Sequence, residues 1–188
     1  MSFTLLGILQ SQAAGGGAGA YDLLETINIT AEGSSFSFTG LDSYSDYQHL
    51  QMRMILGKGD SSGNLNSFYL RFNSDGGTNY NSHQLTGTGS AVSANAFTNE
   101  ALVRLTEVKS RNGNNGIFGA VIVDILDFSD TNKYKTVRYL GGGNNTSEQK
   151  ITLGSSAWRS TSAITRIDNY SSFAGPGSRI SLYGIKGA

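Results

Sequence analysis

The chain has 188 residues, with 14 basic and 14 acidic side chains, so its formal net charge at neutral pH is zero. Nucleic-acid-binding proteins usually carry a basic surplus, and its absence argues against that function. The sequence contains no cysteine, which excludes disulfides, thiolate nucleophiles and cysteine-based zinc sites. No apolar run approaches the roughly 20 residues that span a bilayer, so we expect neither nucleic acid nor a membrane as a partner.

The first 20 residues differ in composition from the rest. Residues 13–20 contain only alanine and glycine, and the preceding segment carries five large apolar side chains: Phe3, Leu5, Leu6, Ile8 and Leu9. A tail that stays solvated is usually polar, whereas burying each of these side chains in a partner contributes about 1.5 to 3 kcal/mol before ordering costs. We therefore predict an anchoring arm with its linker at 1–20 and a folded domain at 21–188. A frayed terminus is the alternative.

Short candidate strand segments follow the arm, and apolar and polar residues alternate in those up to residue 72. They lie at 27–30, 36–38, 50–56, 68–72, 102–108, 133–140, 149–153, 163–170 and 179–185. A period of two predicts β-strands that turn one face inward. Residues 117–128 are apolar at nearly every position in the middle of the segment, which predicts a central strand covered on both faces.

Clusters of glycine, asparagine, serine and aspartate separate these segments. Such clusters supply the positive φ angles that tight hairpin turns require. About ten short strands with this punctuation predict an all-β fold, namely an antiparallel β-sandwich of the jelly-roll or lectin-like type.

Candidate catalytic residues are few. His49 and His83 are the only histidines, and neither lies in a recognisable hydrolase motif. Asp124 and Asp127 could serve as a pair of glycosidase carboxylates, but an odd spacing along a strand directs them to opposite faces. The better prediction is that Asp124 faces solvent or pairs with a cross-strand base, and that residues 127–132 form a turn before Lys133. The sequence therefore predicts a protein that is not an enzyme.

Candidate ligand-binding residues lie in loops and among the aromatic side chains. Asp60 and Asp75 occur in loops whose oxygen-rich composition suits Ca²⁺, but neither loop has the EF-hand spacing, and Asx turns explain the same residues. We expect no cofactor and no metal. Tyr80, His83 and Trp158 are the candidate glycan-facing residues, since aromatic rings can stack on sugar rings; a core role for the two aromatic residues is the alternative.

Several motifs, taken in order, support a family resemblance. They lie at 5–9, 21–26, 38–41, 47–53, 68–73, 125–128 and 133–136, with Trp158 and a closing segment, Ser181–Gly187, that reads SLYGIKG. Together they resemble small structural proteins of tailed phages that infect marine and freshwater bacteria such as cyanobacteria. The resemblance covers most of the chain, and its motifs carry no known chemistry.

The resemblance implies a non-enzymatic virion structural protein with a lectin-like sandwich. Its arm would attach it to the capsid, portal, tail or baseplate as a surface-displayed decoration, a fibre or a tail appendage, after assembly in the bacterial host cytoplasm. Particle symmetry favours a homo-oligomer such as a trimer. The alternative is a carbohydrate-binding module that contacts host-surface glycans through loop tips at 75–81 and 112–116.

Overall fold

The computed structural model describes residues 20–57, 65–109, 118–144, 149–170 and 174–187. These residues form twelve strands and one short 3-10 helix, Leu41–Tyr44. The strands are β1 (Tyr21–Asn28), β2 (Ser37–Thr39), β3 (His49–Leu56), β4 (Leu65–Phe72), β5 (Tyr80–Gly87), β6 (Val92–Glu100), β7 (Val103–Lys109), β8 (Gly119–Leu126), β9 (Lys135–Asn144), β10 (Gln149–Trp158), β11 (Arg166–Asn169) and β12 (Arg179–Ile185).

The strands form two antiparallel sheets that pack as a sandwich, which confirms the predicted fold class. The large sheet has the order β1-β12-β3-β8-β9-β10-β5-β6, and the small sheet has the order β2-β11-β4-β7. Four neighbouring strands of the large sheet, β1-β12-β3-β8, form one half of an eight-stranded jelly roll. The small sheet has the strand order of the other half. The strands β9, β10, β5 and β6 extend the large sheet beyond this unit.

Alternation along the strands places the core between the sheets. Leu50 and Met52 of β3 and Val123 and Ile125 of β8 are completely buried on the inner face of the large sheet. The small sheet contributes buried aromatic and aliphatic side chains from its facing side, among them Phe38, Phe68, Leu70, Phe72 and Ile167. Burial of apolar side chains between the two sheets is the main stabilisation of this fold.

Strand β8 corrects one expectation. Its position inside the sheet, between β3 and β9, is the predicted one. Coverage of both faces is wrong, because Val121 and Val123 are buried whereas Ile122 is 45% exposed. Among the described residues, the small sheet covers only the inner face, so the outward-facing aliphatic side chains of β8 stay in contact with solvent.

Some predicted features lie outside the described residues. They are the arm residues Phe3, Leu5, Leu6, Ile8 and Leu9, the candidate calcium ligand Asp60 and the loop tip at 112–116. The first strand begins at Tyr21, where the sequence predicts that the folded domain begins. Within the described ranges, no helix has the length and apolar character needed to cross a membrane.

Candidate functional site

The aromatic residues predicted to face a glycan lie in the core. Tyr80 is 0% and Trp158 is 2% exposed. Their rings stack on each other with centroids 6.3 Å apart, and Phe72 packs edge-on against Trp158 at 5.7 Å. The prediction that Tyr80 and Trp158 face a sugar is therefore wrong, because inward alternation on β5 and β10 sends both rings into the sandwich.

Asp75 holds the end of this aromatic cluster. The Trp158 Nε1 donates to its Oδ2 at 2.7 Å, Asn79 Nδ2 donates to the same oxygen at 2.9 Å, and the backbone N of Gly77 donates to Oδ1 at 2.8 Å. Burial alone would raise the pKa of Asp75, but these hydrogen bonds outweigh burial and lower the pKa. The loop is thus an Asx turn whose carboxylate already has three donors. Among the described residues, no cluster of three acidic or histidine side chains could hold a metal ion.

The two candidate glycosidase carboxylates are both engaged by neighbours. Asp124 lies on the outer face of the large sheet, where it accepts from Gln51 Nε2 at 2.7 Å and from the cross-strand Arg138 at 3.2 Å. Of the two predicted alternatives for Asp124, the structure shows the pairing with a cross-strand base. Asp127 lies beyond the end of β8 in the predicted turn, with a φ of 49°.

A polar cluster surrounds Asp127. Lys133 Nζ lies 2.7 Å from its Oδ2, and Gln48 Nε2 donates to its Oδ1 at 2.9 Å. The hydrogen bond from Lys133, followed by that from Gln48, lowers the pKa of Asp127. The His49 Nδ1 accepts from the backbone N of Asp127 at 2.9 Å, so this histidine supports the turn.

A buried lysine completes the same turn. Lys135 is completely buried, and its amine donates to the backbone carbonyls of Asp130, Lys133 and Thr161. Burial lowers the pKa of this amine, and the nearby carboxylates of Asp130 and Asp127 oppose that shift. The Lys135 amine takes the place of water as the donor to these three carbonyls. These hydrogen bonds hold the connection between β8 and β9 in one conformation.

The outer face of the large sheet exposes an unusual set of aliphatic side chains. Seven of them, between 43% and 75% exposed, are here called the aliphatic face: Ile55, Leu85, Val92, Ile122, Leu140, Ile151 and Leu153. They lie on β3, β8, β9, β10, β5 and β6, which are consecutive in the sheet. The sequence shows the residues but not their exposure, because alternation alone does not say which side a second sheet covers.

Strand register makes the aliphatic face continuous. One cross-strand row runs from Ile122 through Leu140, Leu153 and Leu85 to Ala94. The adjacent row runs from Ile55 through Ala120, Gly142, Ile151 and Gly87 to Val92. An open, mainly apolar groove of about 610 Å³ lies over the two rows. A Cβ at Gly142 would collide with the Lys150 carbonyl, so the row is shallow at that point.

The inner face of the sheet extension is polar instead. A cleft of about 300 Å³ lies there against the edge of β7, and its main lining residues define what we call the polar cleft: Gln84, Thr86, Ser93, Asn95, Phe97 and Thr152. The cleft exists because the large sheet continues past β7, which is the edge strand of the small sheet. The inner-face positions that line the cleft, Gln84 and Thr86 of β5 and Ser93 and Asn95 of β6, therefore lie beyond the small sheet and carry hydroxyl and amide groups.

Two contacts position Gln84 at the floor of the polar cleft. Its Nε2 donates to the backbone carbonyl of Leu105 at 2.9 Å and to the hydroxyl oxygen of Tyr139 at 2.7 Å. Burial raises the pKa of Tyr139 to about 12, which keeps this hydroxyl protonated at neutral pH. A Cβ at Gly154 would overlap the Tyr139 ring, so glycine at this position allows the ring to reach Gln84.

Arg104 forms one wall of the polar cleft. Its guanidinium lies 2.9 Å from Glu100 Oε2 and stacks over the Phe97 ring at 4.4 Å. The positive charge is therefore balanced within the protein, and the wall offers a planar, neutralised surface to the cleft.

His83 alone of the three predicted glycan-facing residues is exposed. It lies on the outer face of β5, between Ser155 and Ala96 of the neighbouring strands. Because successive strand residues point to opposite faces, the structure separates His83 from Tyr80 and from the polar cleft.

Sequence reasoning missed the polar cleft as well as β5 and β6. The available signal was a run of polar residues at alternate positions, Ser82, Gln84 and Thr86, opposite Ser93 and Asn95.

No protein-family model, curated protein sequence or solved structure matches this chain.

Proposed function

We propose that the chain is a non-enzymatic structural protein of a phage particle, attached through residues 1–20, whose sandwich self-associates through the aliphatic face. The phage assignment is supported by the sequence resemblance described above. Self-association is supported by the aliphatic face, and this observation carries the proposal. Soluble monomers rarely expose contiguous apolar patches larger than a few hundred Å².

The size of the aliphatic face suits a contact between proteins. Strands are about 4.8 Å apart and residues on one side of a strand are about 6.8 Å apart, so two residue rows on six strands cover about 400 Å². Two such faces would bury about 800 Å² in total, which is the size of a weak or transient contact. A single extended peptide is narrower than this face, whereas a second copy covers all of it.

The surroundings of the aliphatic face favour a second copy. The adjacent charged pair, Asp124 and Arg138, is neutralised within the protein. The Arg53 guanidinium, across from Ile122 at the border of the face, is held against the Tyr183 ring. Sheet faces pack with their strands within about 30° of each other, a geometry that two copies of one sheet can adopt. A face that contacts itself gives an isologous pair, and other contacts would build such pairs into a symmetric particle.

The self-association is tested on the full chain with the double substitution Ile151→Thr and Leu153→Thr. Threonine keeps the strand propensity but removes apolar surface, and each change occurs twice in an isologous contact. We expect the dissociation constant for self-association, measured by analytical ultracentrifugation, to rise about a hundredfold or more.

Leu23→Thr is the matched control for this test. Leu23 is also an exposed leucine on the outer face, but it lies on β1, five strands away from Leu153. The control is expected to associate as the wild type does. A wild-type chain that stays monomeric at high concentration, or a double variant that associates normally, would show that the aliphatic face does not join copies.

Attachment through the arm is tested in phage particles by deleting residues 2–16. We expect the purified particles to lack this protein, because the five apolar side chains of the arm are gone. The control replaces 13–17 with a glycine–serine segment of equal length and is expected to be incorporated. If the deleted form assembles onto particles normally, anchoring by the arm is wrong.

A further inference from the structure

We infer that the polar cleft is a binding site for a neutral mono- or disaccharide. This role goes beyond the structural function proposed above and does not depend on it. It also differs from the site that the sequence predicted, because Tyr80 and Trp158 are buried and His83 lies on the opposite face of the sheet.

The floor of the polar cleft contains two hydroxyls that form no hydrogen bond with the described part of the chain. Thr86 and Thr152 are cross-strand neighbours that are only 7% and 3% exposed, and no hydrogen bond joins either side chain to the described part of the chain. The preceding inner-face pair, Ser82 and Ser156, shares a hydrogen bond of 2.8 Å. Within the described residues, only the Asn169 amide is fully enclosed without a partner, so the two threonine hydroxyls are accessible from the cleft.

Amide groups complete the donor and acceptor set. Both described hydrogen bonds of Gln84 use Nε2, which leaves its Oε1 as an acceptor. Asn95 lies directly across from Gln84 on β6, and Ser93 lies across from Thr86. Hydroxyl and amide side chains can donate and accept hydrogen bonds. The hydroxyl groups of a sugar do the same, so the two sets of groups are complementary.

Charge and size select a neutral ligand of modest size. Two cationic side chains, Arg104 and Lys150, line the cleft, and no described lining residue is a carboxylate. Arg104 is paired with Glu100, and Lys150 is also engaged by another group of the protein. A volume of about 300 Å³ suits a small ligand, at the lower end of ligand pockets. The Phe97 ring adds one apolar surface beside the polar floor, as the C–H face of a sugar requires.

The experiment uses the full chain on an array of neutral and acidic glycans, followed by saturation-transfer NMR with free glucose, galactose, mannose and their disaccharides. We expect saturable binding to neutral saccharides. Thr86→Val, which removes a hydroxyl while keeping the shape, and Asn95→Ala, at an exposed position, are each expected to weaken binding about three- to tenfold.

His83→Ala is the matched control, because it changes the neighbouring strand position on the other face. It is expected to leave saccharide binding unchanged, as is the double variant of the aliphatic face. The inference would be overturned if no glycan on the array binds, if only acidic glycans bind, or if neither cleft substitution weakens binding. Self-association and particle attachment are measured on the cleft variants as well, so a failure of this site is distinguishable from a failure of the structural function.

Discussion

Replacing Lys135 with methionine is expected to lower the free energy of unfolding by about 3 kcal/mol. The amine is completely buried and donates to three backbone carbonyls, of which two distances are 3.0 Å to Lys133 O and 3.2 Å to Thr161 O. Methionine fills similar space but leaves these acceptors without their donor, and an unsatisfied buried polar group costs about 1 to 3 kcal/mol. Urea unfolding followed by tryptophan fluorescence measures the change, since Trp158 is the only tryptophan.

Lys133→Met is the matched control for this substitution. Lys133 is also a lysine of the β8–β9 connection, but its side chain is 54% exposed and pairs with Asp127 and Asp130 at the surface. Exposed ion pairs contribute little to stability, so the control is expected to unfold close to the wild type. Equal destabilisation by the two substitutions would show that burial of the Lys135 amine is not what holds the turn.

Replacing Asp75 with alanine is expected to lower the free energy of unfolding by about 2 kcal/mol. The change removes the acceptor of the Trp158 indole N–H, and charge-assisted hydrogen bonds of this kind are among the stronger ones. Asn79 and the backbone of Gly77 lose the same partner. The control is Asp42→Ala in the 3-10 helix, an exposed carboxylate to which the described residues give no hydrogen bond or ion pair.

The stabilisation that Asp75 provides depends on pH. The pKa of Asp75 is lower in the folded protein than its ordinary value, so its stabilising contribution is present above about pH 4 and is lost as the pH falls through the lowered pKa. The stability difference between wild type and variant should therefore shrink as the pH falls below about 4. Unfolding curves at stepped pH values check this, and a difference that grows in acid would contradict the assigned role of the carboxylate.

Prediction from sequence succeeded where strands face an apolar layer. In β3, β4 and β12 the inward residues are apolar and the outward ones more polar, so the period of two is visible. It failed for β5 and β6, because the inner positions that line the polar cleft carry polar side chains while Leu85, Val92 and Ala94 face outward, the reverse of the expected pattern. The candidate site was missed for the same reason, since it consists of the residues that break the expected pattern.

The sequence by itself determined the all-β class and the turn at Asp127, and it left Asp124 either facing solvent or paired with a cross-strand base. Each depends on local alternation, composition or turn chemistry. Only the tertiary structure decided that Ile122 is exposed while Val123 is buried, that Trp158 belongs to the core, and that Lys135 is buried. The physical reason is that local pattern assigns residues to the two faces of a strand, whereas burial depends on where the second sheet ends.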